Sequence, residues 1–183
     1  LKGLEKELND VLKETKTTGF AIAIVEKNKI VYAQGFGYAD YENKVPVDAN
    51  TLFPIGSCSK AFTSSILGQL NDEGKLSFDE SPRNYVPELN FFNNELNNNI
   101  IIRDLMCHRT GIPRHDYSWY LFPSTSKDSL LKRIEYHEPF SGLREKWYYN
   151  NFMFLAQGVI AEHITGKTWE ENIQERFFGP LNM

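Results

Sequence analysis

The chain has 183 residues, 41% of them hydrophobic and 24% charged, with a formal net charge of −4. That balance suits a globular chain with one sizeable core, and its mild acidity argues against a basic nucleic-acid-binding face. No apolar run approaches the roughly 20 residues a helix needs to cross a bilayer.

The first stretch, LKGLEKELNDVLKETK, sets Leu1, Leu4, Leu8, Val11 and Leu12 on one stripe at helical spacing. GFAIAIVEKNKIVYAQGFGYAD reads as two strands rich in Ile, Val, Phe and Tyr, joined at Lys27-Asn28-Lys29 and closed by Gly35 and Gly37. A polar stretch leads to TLFPIG and then to a helix from about Ser57 to Asp72, stopped near Gly74. From residue 80 the periodic stretches are helical, at roughly 101–108, 127–137, 152–164 and 169–178. Gly166 is placed to close the third of these, and Thr168-x-x-Glu171 to cap the last. The Asn-rich patch 93–99 reads as a solvated loop.

A two-stranded hairpin among helices is an odd inventory, because such a hairpin is marginal alone and leaves strand edges unpaired. Either the first helix covers it or further strands lie beyond Met183. The start on Leu1 and the end on GPLNM point to a piece of a longer protein. Two cysteines, Cys58 and Cys107, are too few for a disulfide framework and are expected to be free, buried thiols.

Ser-x-x-Lys occurs three times, at Ser57–Lys60, Ser124–Lys127 and Ser129–Lys132. The spacing puts both side chains on one helical face, where the lysine can reach the serine if it is desolvated enough to act as a base. Roughly one such match is expected by accident in a chain of this length. Ser124 lies in a polar turn, and Lys132-Arg133 marks the wet face of an amphipathic helix. Ser57 differs, since it follows Pro-x-Gly and opens a helix with no charge between Lys60 and Asp72. A helix start favours developing negative charge. The competing reading is a buried helix whose first-turn lysine reaches back to solvent.

At this point the sequence resembles the serine β-lactamases and penicillin-binding-protein-like hydrolases: class C β-lactamases, DD-peptidases and related esterases. Three segments carry the likeness in order: TLFPIGSCSKAFTSSILGQL with the residues after it, IIIRDLMCHRTGIPRHD, and WYYNNFMFLAQGVIAEHITGKTWEENIQERFFGPLNM. The last holds the Tyr-x-Asn motif in two possible registers. Trp147 and Gly158 fit the family pattern only if the motif is Tyr149-Asn150-Asn151. Glu162 and Thr165-Gly166 then also fall into place, and Tyr148 is left as a packing or pocket residue. Trp147, Tyr148, Phe152 and Phe154 are expected in the core rather than as a substrate platform.

The resemblance implies an α+β, β-lactamase/transpeptidase-like fold, of which this chain is the N-terminal part. Residues 1–79 would begin the α/β domain, and 80–183 would form a mostly helical subdomain. It also implies a serine hydrolase. Ser57 would be acylated, Lys60 and Tyr149 would move its proton, and Asn151 would orient Lys60 and bind a substrate amide. His115 falls where relatives place a polar residue lining the substrate pocket, although Arg114-His115-Asp116 also suits a solvated loop. Export from the cytoplasm follows by analogy.

The substrate would be a small molecule or peptide carrying an amide, ester or β-lactam bond. The alternative is a sensor or scaffold that acylates without turnover. No cofactor, metal or nucleic-acid partner is expected, since the four histidines show no ligand spacing. The family's third motif, a Lys/His-Thr/Ser-Gly triplet on a strand, is not in this chain. Thr165-Gly166-Lys167-Thr168 lies between helices and does not replace it, nor is it a phosphate loop. The 183 residues alone are therefore expected to turn over no substrate. Steady ester or β-lactam hydrolysis by the isolated chain would contradict that expectation.

Overall fold

Apolar residues at helical spacing wind Leu4–Thr15 into helix α1, whose end is a left-handed residue, Lys16 (φ 53°). Strands β1 (Gly19–Glu26) and β2 (Lys29–Asp40) pair antiparallel from Gly19↔Gly37 to Glu26↔Lys29. Lys27 and Asn28 both take positive φ (45° and 65°). A two-residue loop of that hand matches the twist of the strands it joins. Gly37 is required by its conformation and by space, for φ is +71° and a Cβ would lie 2.3 Å from the Thr18 carbonyl oxygen. β2 nevertheless runs on to Asp40 rather than closing at the glycines. It then pairs with a strand not foreseen in the sequence, β3 (Val45–Pro46), giving the sheet order β1-β2-β3.

The computed structural model describes residues 1–183, in two compact units, Leu1–Ile55 and Gly56–Met183. The units part at 55/56. In the first unit only Phe36 and Val47 are buried apolar residues, and Val25, Ile30 and Val31 stay exposed.

The second unit is helical: α2 (Ser59–Asp72), α3 (Asn94–Asn99), α4 (Ile102–Met106), α5 (Tyr117–Tyr120), α6 (Lys127–Leu131), α7 (Asn151–Thr165) and α8 (Trp169–Ile173). Helix α7 is its axis, burying Phe152, Met153, Ala156 and the run Gln157–Ala161. It packs against α2, α4, α6 and α8. Thr63, Ile66, Leu67 and Leu70 form the buried face of α2. Trp169 donates its indole N–H to Thr63 Oγ1 at 3.0 Å, tying α8 to α2. The ends behave as their sequences foretell. Gly166 is left-handed (φ 68°) after α7, and Thr168 and Glu171 make the reciprocal cap of α8.

Three expectations need correction. Residues 94–99 are the helix α3 rather than a loop, because Asn93 accepts the Leu96 N–H as an N-cap and Leu96 is buried. Cys58 and Cys107 are both exposed, Cys58 as the N-cap residue of α2 and Cys107 as the C-cap residue of α4. Trp147, expected in the core, is 64% exposed.

Irregular chain, not a sheet, carries much of the second unit. Segments 108–111 and 140–148 run side by side. Phe140 N–H bonds the Gly111 carbonyl (2.9 Å), Arg144 N–H that of Arg109 (2.8 Å), and Tyr148 N–H that of His108 (2.9 Å). Asp104, which has no solvent exposure, anchors this region. It accepts from Arg109 Nε (2.6 Å), from Arg144 Nε and Nη2 (both 2.9 Å) and from the Ile101 N–H (3.0 Å).

Candidate active site

Gly56, with φ +52°, turns the chain into a short 3-10 turn (Gly56–Cys58) that runs straight into α2. Ser57 sits in that turn, one residue before the N-cap, and is exposed. Lys60 is in the first turn of α2 and half-buried. Its ammonium donates to Ser57 Oγ at 3.1 Å and to Asn151 Oδ1 at 2.7 Å. The same nitrogen lies 4.7 Å from the Tyr149 ring centroid and 5.3 Å from that of Phe154. Lys60 thus faces neutral oxygens and aromatic rings. Its counterpart Lys127 is paired with Glu162 (2.6 Å) and Glu170 (3.2 Å). Burial would lower the Lys127 pKa, but those carboxylates outweigh it and raise it, so Lys127 stays charged. Lys132 is exposed.

Tyr149 Oη lies 2.5 Å from Ser57 Oγ, with the phenol donating. Burial alone would raise the phenol's pKa. Hydrogen bonding with Lys60 and Ser57, together with the charges of Lys60 and Arg114, overrides burial and brings it below its ordinary value. Asn151, first residue of α7, is held from both ends. Its Oδ1 accepts from Lys60, and its Nδ2 donates to Asp116 Oδ1 at 3.3 Å.

The alternative register leads elsewhere. Asn150 is fully buried and caps α7 by accepting the Met153 N–H at 3.2 Å. Its amide donates to the carbonyls of Ile112 (3.3 Å) and Pro113 (2.6 Å). Ser57, Lys60, Tyr149 and Asn151 therefore meet at one point. His115 does not join them. It stacks on His137 (4.5 Å between centroids), and its Nε2 lies 3.2 Å from the Glu138 carbonyl oxygen. Its place is in a neighbouring cleft of about 600 Å³, shared with Arg114, Asp116, Tyr117, Tyr120 and Phe140.

His108 supports the site from behind. It accepts the Asn150 N–H at Nδ1 (3.1 Å), so that nitrogen carries no proton, and its ring lies 4.5 Å from that of Tyr149. Desolvation, helped by the charges of Lys60 and Arg114, lowers the His108 pKa to about 4. Burial does the same to His137, also to about 4, with His115 and Arg133 adding to it. Neither ring nitrogen of His137 has a hydrogen-bond partner.

The unfolded chain, with histidine near 6.5, binds more protons than the folded one between about pH 4 and 6.5. The stability these two neutral rings contribute is thus complete above pH 6.5 and is lost as pH falls toward 4. Urea midpoints at pH 7.5, 6 and 5 should drop in that order. His137→Leu, which removes an unpartnered buried imidazole, should reduce the drop by about half. A midpoint independent of pH over that range would contradict the two neutral histidines.

The Beta-lactamase family profile matches residues 2–183. An unguisins hydrolase from Aspergillus campestris is 30% identical over 98% of the chain. A teichoic acid D-alanine hydrolase from Staphylococcus aureus is 28% identical over 97% of it. Among solved structures, an octameric penicillin-binding protein homologue from Pyrococcus abyssi superposes with a TM-score of 0.88 at 26% identity, over 98% of this chain and 42% of that one. The chain spans 36% and 43% of the lengths of the two hydrolases. It belongs to the β-lactamase family, within the serine-hydrolase superfamily of penicillin-binding proteins, DD-peptidases and esterases.

Proposed function

We propose that this chain carries the nucleophile and the proton-handling groups of a serine acyl-hydrolase. The observation that carries the reading is the convergence of Lys60 Nζ and Tyr149 Oη on Ser57 Oγ, at 3.1 and 2.5 Å. Both distances lie within hydrogen-bond reach, which a proton acceptor for the nucleophile needs. The lowered pKa of Tyr149 eases loss of the phenol proton, the step that turns its oxygen from a donor to Ser57 into that acceptor.

In the proposed reaction Ser57 Oγ adds to the carbonyl carbon of an amide, ester or β-lactam while its proton passes to the Tyr149 oxygen. The tetrahedral oxyanion faces the Ser57 backbone N–H at the helix start. Collapse breaks the C–N or C–O bond, and Tyr149 returns the proton to the leaving nitrogen or oxygen. Water, deprotonated by Tyr149, then attacks the acyl carbonyl. The ester bond to Ser57 Oγ breaks, Tyr149 passes the proton to that oxygen, and the acid leaves with Ser57 restored. Asn151 holds Lys60 in line throughout and offers an amide to the substrate. Both named relatives are hydrolases, which favours turnover over acylation alone. By the same likeness the protein is proposed to act outside the cytoplasm.

The test follows intact mass over time after adding a penicillin or an activated ester to the full natural chain. A hydrolase gains one acyl group and loses it again as product accumulates. An adduct that never clears would assign a sensor, and no adduct with any acyl donor would overturn the proposal.

A further inference from the structure

Asn151 stands between an ammonium that only donates and a carboxylate that only accepts. A carboxamide is close to symmetrical in shape, so packing alone fixes its orientation poorly. Lys60 Nζ meets its oxygen at 2.7 Å, and Asp116 Oδ1 meets its nitrogen at 3.3 Å. Turned end for end, it would set NH2 against ammonium and oxygen against carboxylate, two repulsive contacts in place of two bonds. Asp116 is in turn gripped at its other oxygen by Arg114 Nε, at 2.6 Å. The Arg114 guanidinium lies over the Tyr149 ring, 4.8 Å from its centroid.

We infer that Asp116 and Arg114 are positioning residues of the site. Asp116 fixes which end of Asn151 faces Lys60, and Arg114 balances Asp116 while placing positive charge over Tyr149. The inference rests on the acyl-hydrolase reading above and extends it to two residues outside the Ser-x-x-Lys and Tyr-x-Asn motifs.

A purely structural role fits less well. The Arg114 side chain is 56% exposed, and ion pairs open to solvent contribute little to stability. The residue between them, His115, has φ +50°, an uncommon conformation for a non-glycine and one that gathers at functional sites. With one N–H of Asn151 committed to Asp116, the second is left for a substrate carbonyl.

The experiment compares Asp116→Asn and Arg114→Gln with the parent, using the full natural chain and a fluorophosphonate. The probe phosphonylates the serine with loss of fluoride, and its labelling rate is read in place of acylation. Asp116→Asn keeps the shape but can donate, so Asn151 loses its preferred orientation. Its acylation rate should fall about 10- to 100-fold, the scale for loss of a group that orients a reacting one, with thermal stability unchanged. Arg114→Gln should shift the acidic limb of the acylation pH profile upward, as charge over Tyr149 is lost. Side-chain NH2 resonances of Asn151 in 15N-labelled protein give a readout independent of chemistry. They should be protected from exchange in the parent and exposed in Asp116→Asn.

Parent-like rates and pH profiles in both variants would overturn the inference, as would loss of rate matched by loss of melting temperature. Unchanged Asn151 resonances in Asp116→Asn would overturn it too. A parent that the probe does not label would instead remove the acyl-hydrolase reading, and these positioning roles with it.

Discussion

Tyr149→Phe is expected to lower the acylation rate by about 10²- to 10⁴-fold, the usual contribution of a positioned general base. The change removes only the oxygen that lies 2.5 Å from Ser57 Oγ. The ring remains to pack on His108 and beneath Arg114. Stability should therefore change little. The pH profile should respond as well. On the proposed mechanism, acylation by the parent should rise as the phenol, its pKa below the ordinary value, loses its proton. In Tyr149→Phe that limb should vanish. A variant with parent-like rate and profile would show that Lys60 manages the proton without Tyr149.

Asp104→Ala is expected to cost about 2 kcal/mol or more in unfolding free energy, the scale for losing charge-assisted hydrogen bonds and leaving a backbone N–H without its acceptor. Asp104 has no exposed surface and receives Arg109, Arg144 and the Ile101 N–H together. Its loss leaves the backbone N–H without an acceptor. It also frees the two arginines that tie 109–111 to 140–148. Those segments lead to His108 and Tyr149, so labelling of Ser57 should weaken at temperatures where the variant still shows its helical signal. Equilibrium unfolding in urea checks the cost, and a midpoint within experimental error of the parent's would refute the anchor.

Long periodic elements and their caps were legible from the residues, because their signals are local. The stripe of α1, the Lys27-Asn28 turn, Gly166 and the Thr168–Glu171 cap each follow from chemistry within a few positions. What escaped depends on partners far along the chain. β3 is two residues long and exists only by pairing with the end of β2. The α3 helix was masked by its asparagines, although Asn93 as a cap and Leu96 as an inward residue were signals that could have found it.

The site divides in the same way. Ser57 and Lys60 are neighbours in sequence, whereas Tyr149 and Asn151 join them across some 90 residues, and only the family resemblance proposed that meeting. The contacts of His108 with Asn150 and of Asp116 with Asn151 are ones that no spacing rule anticipates. Asn150 offered one clue, since an asparagine just before a long apolar helix is a preferred N-cap.

The most direct test of the central proposal is to map a fluorophosphonate adduct by peptide mass spectrometry in the full natural chain. One phosphonyl group on Ser57, absent in Ser57→Ala and strongly reduced in Lys60→Met, is the predicted result. A label on another residue, or labelling that survives in Ser57→Ala, would contradict it.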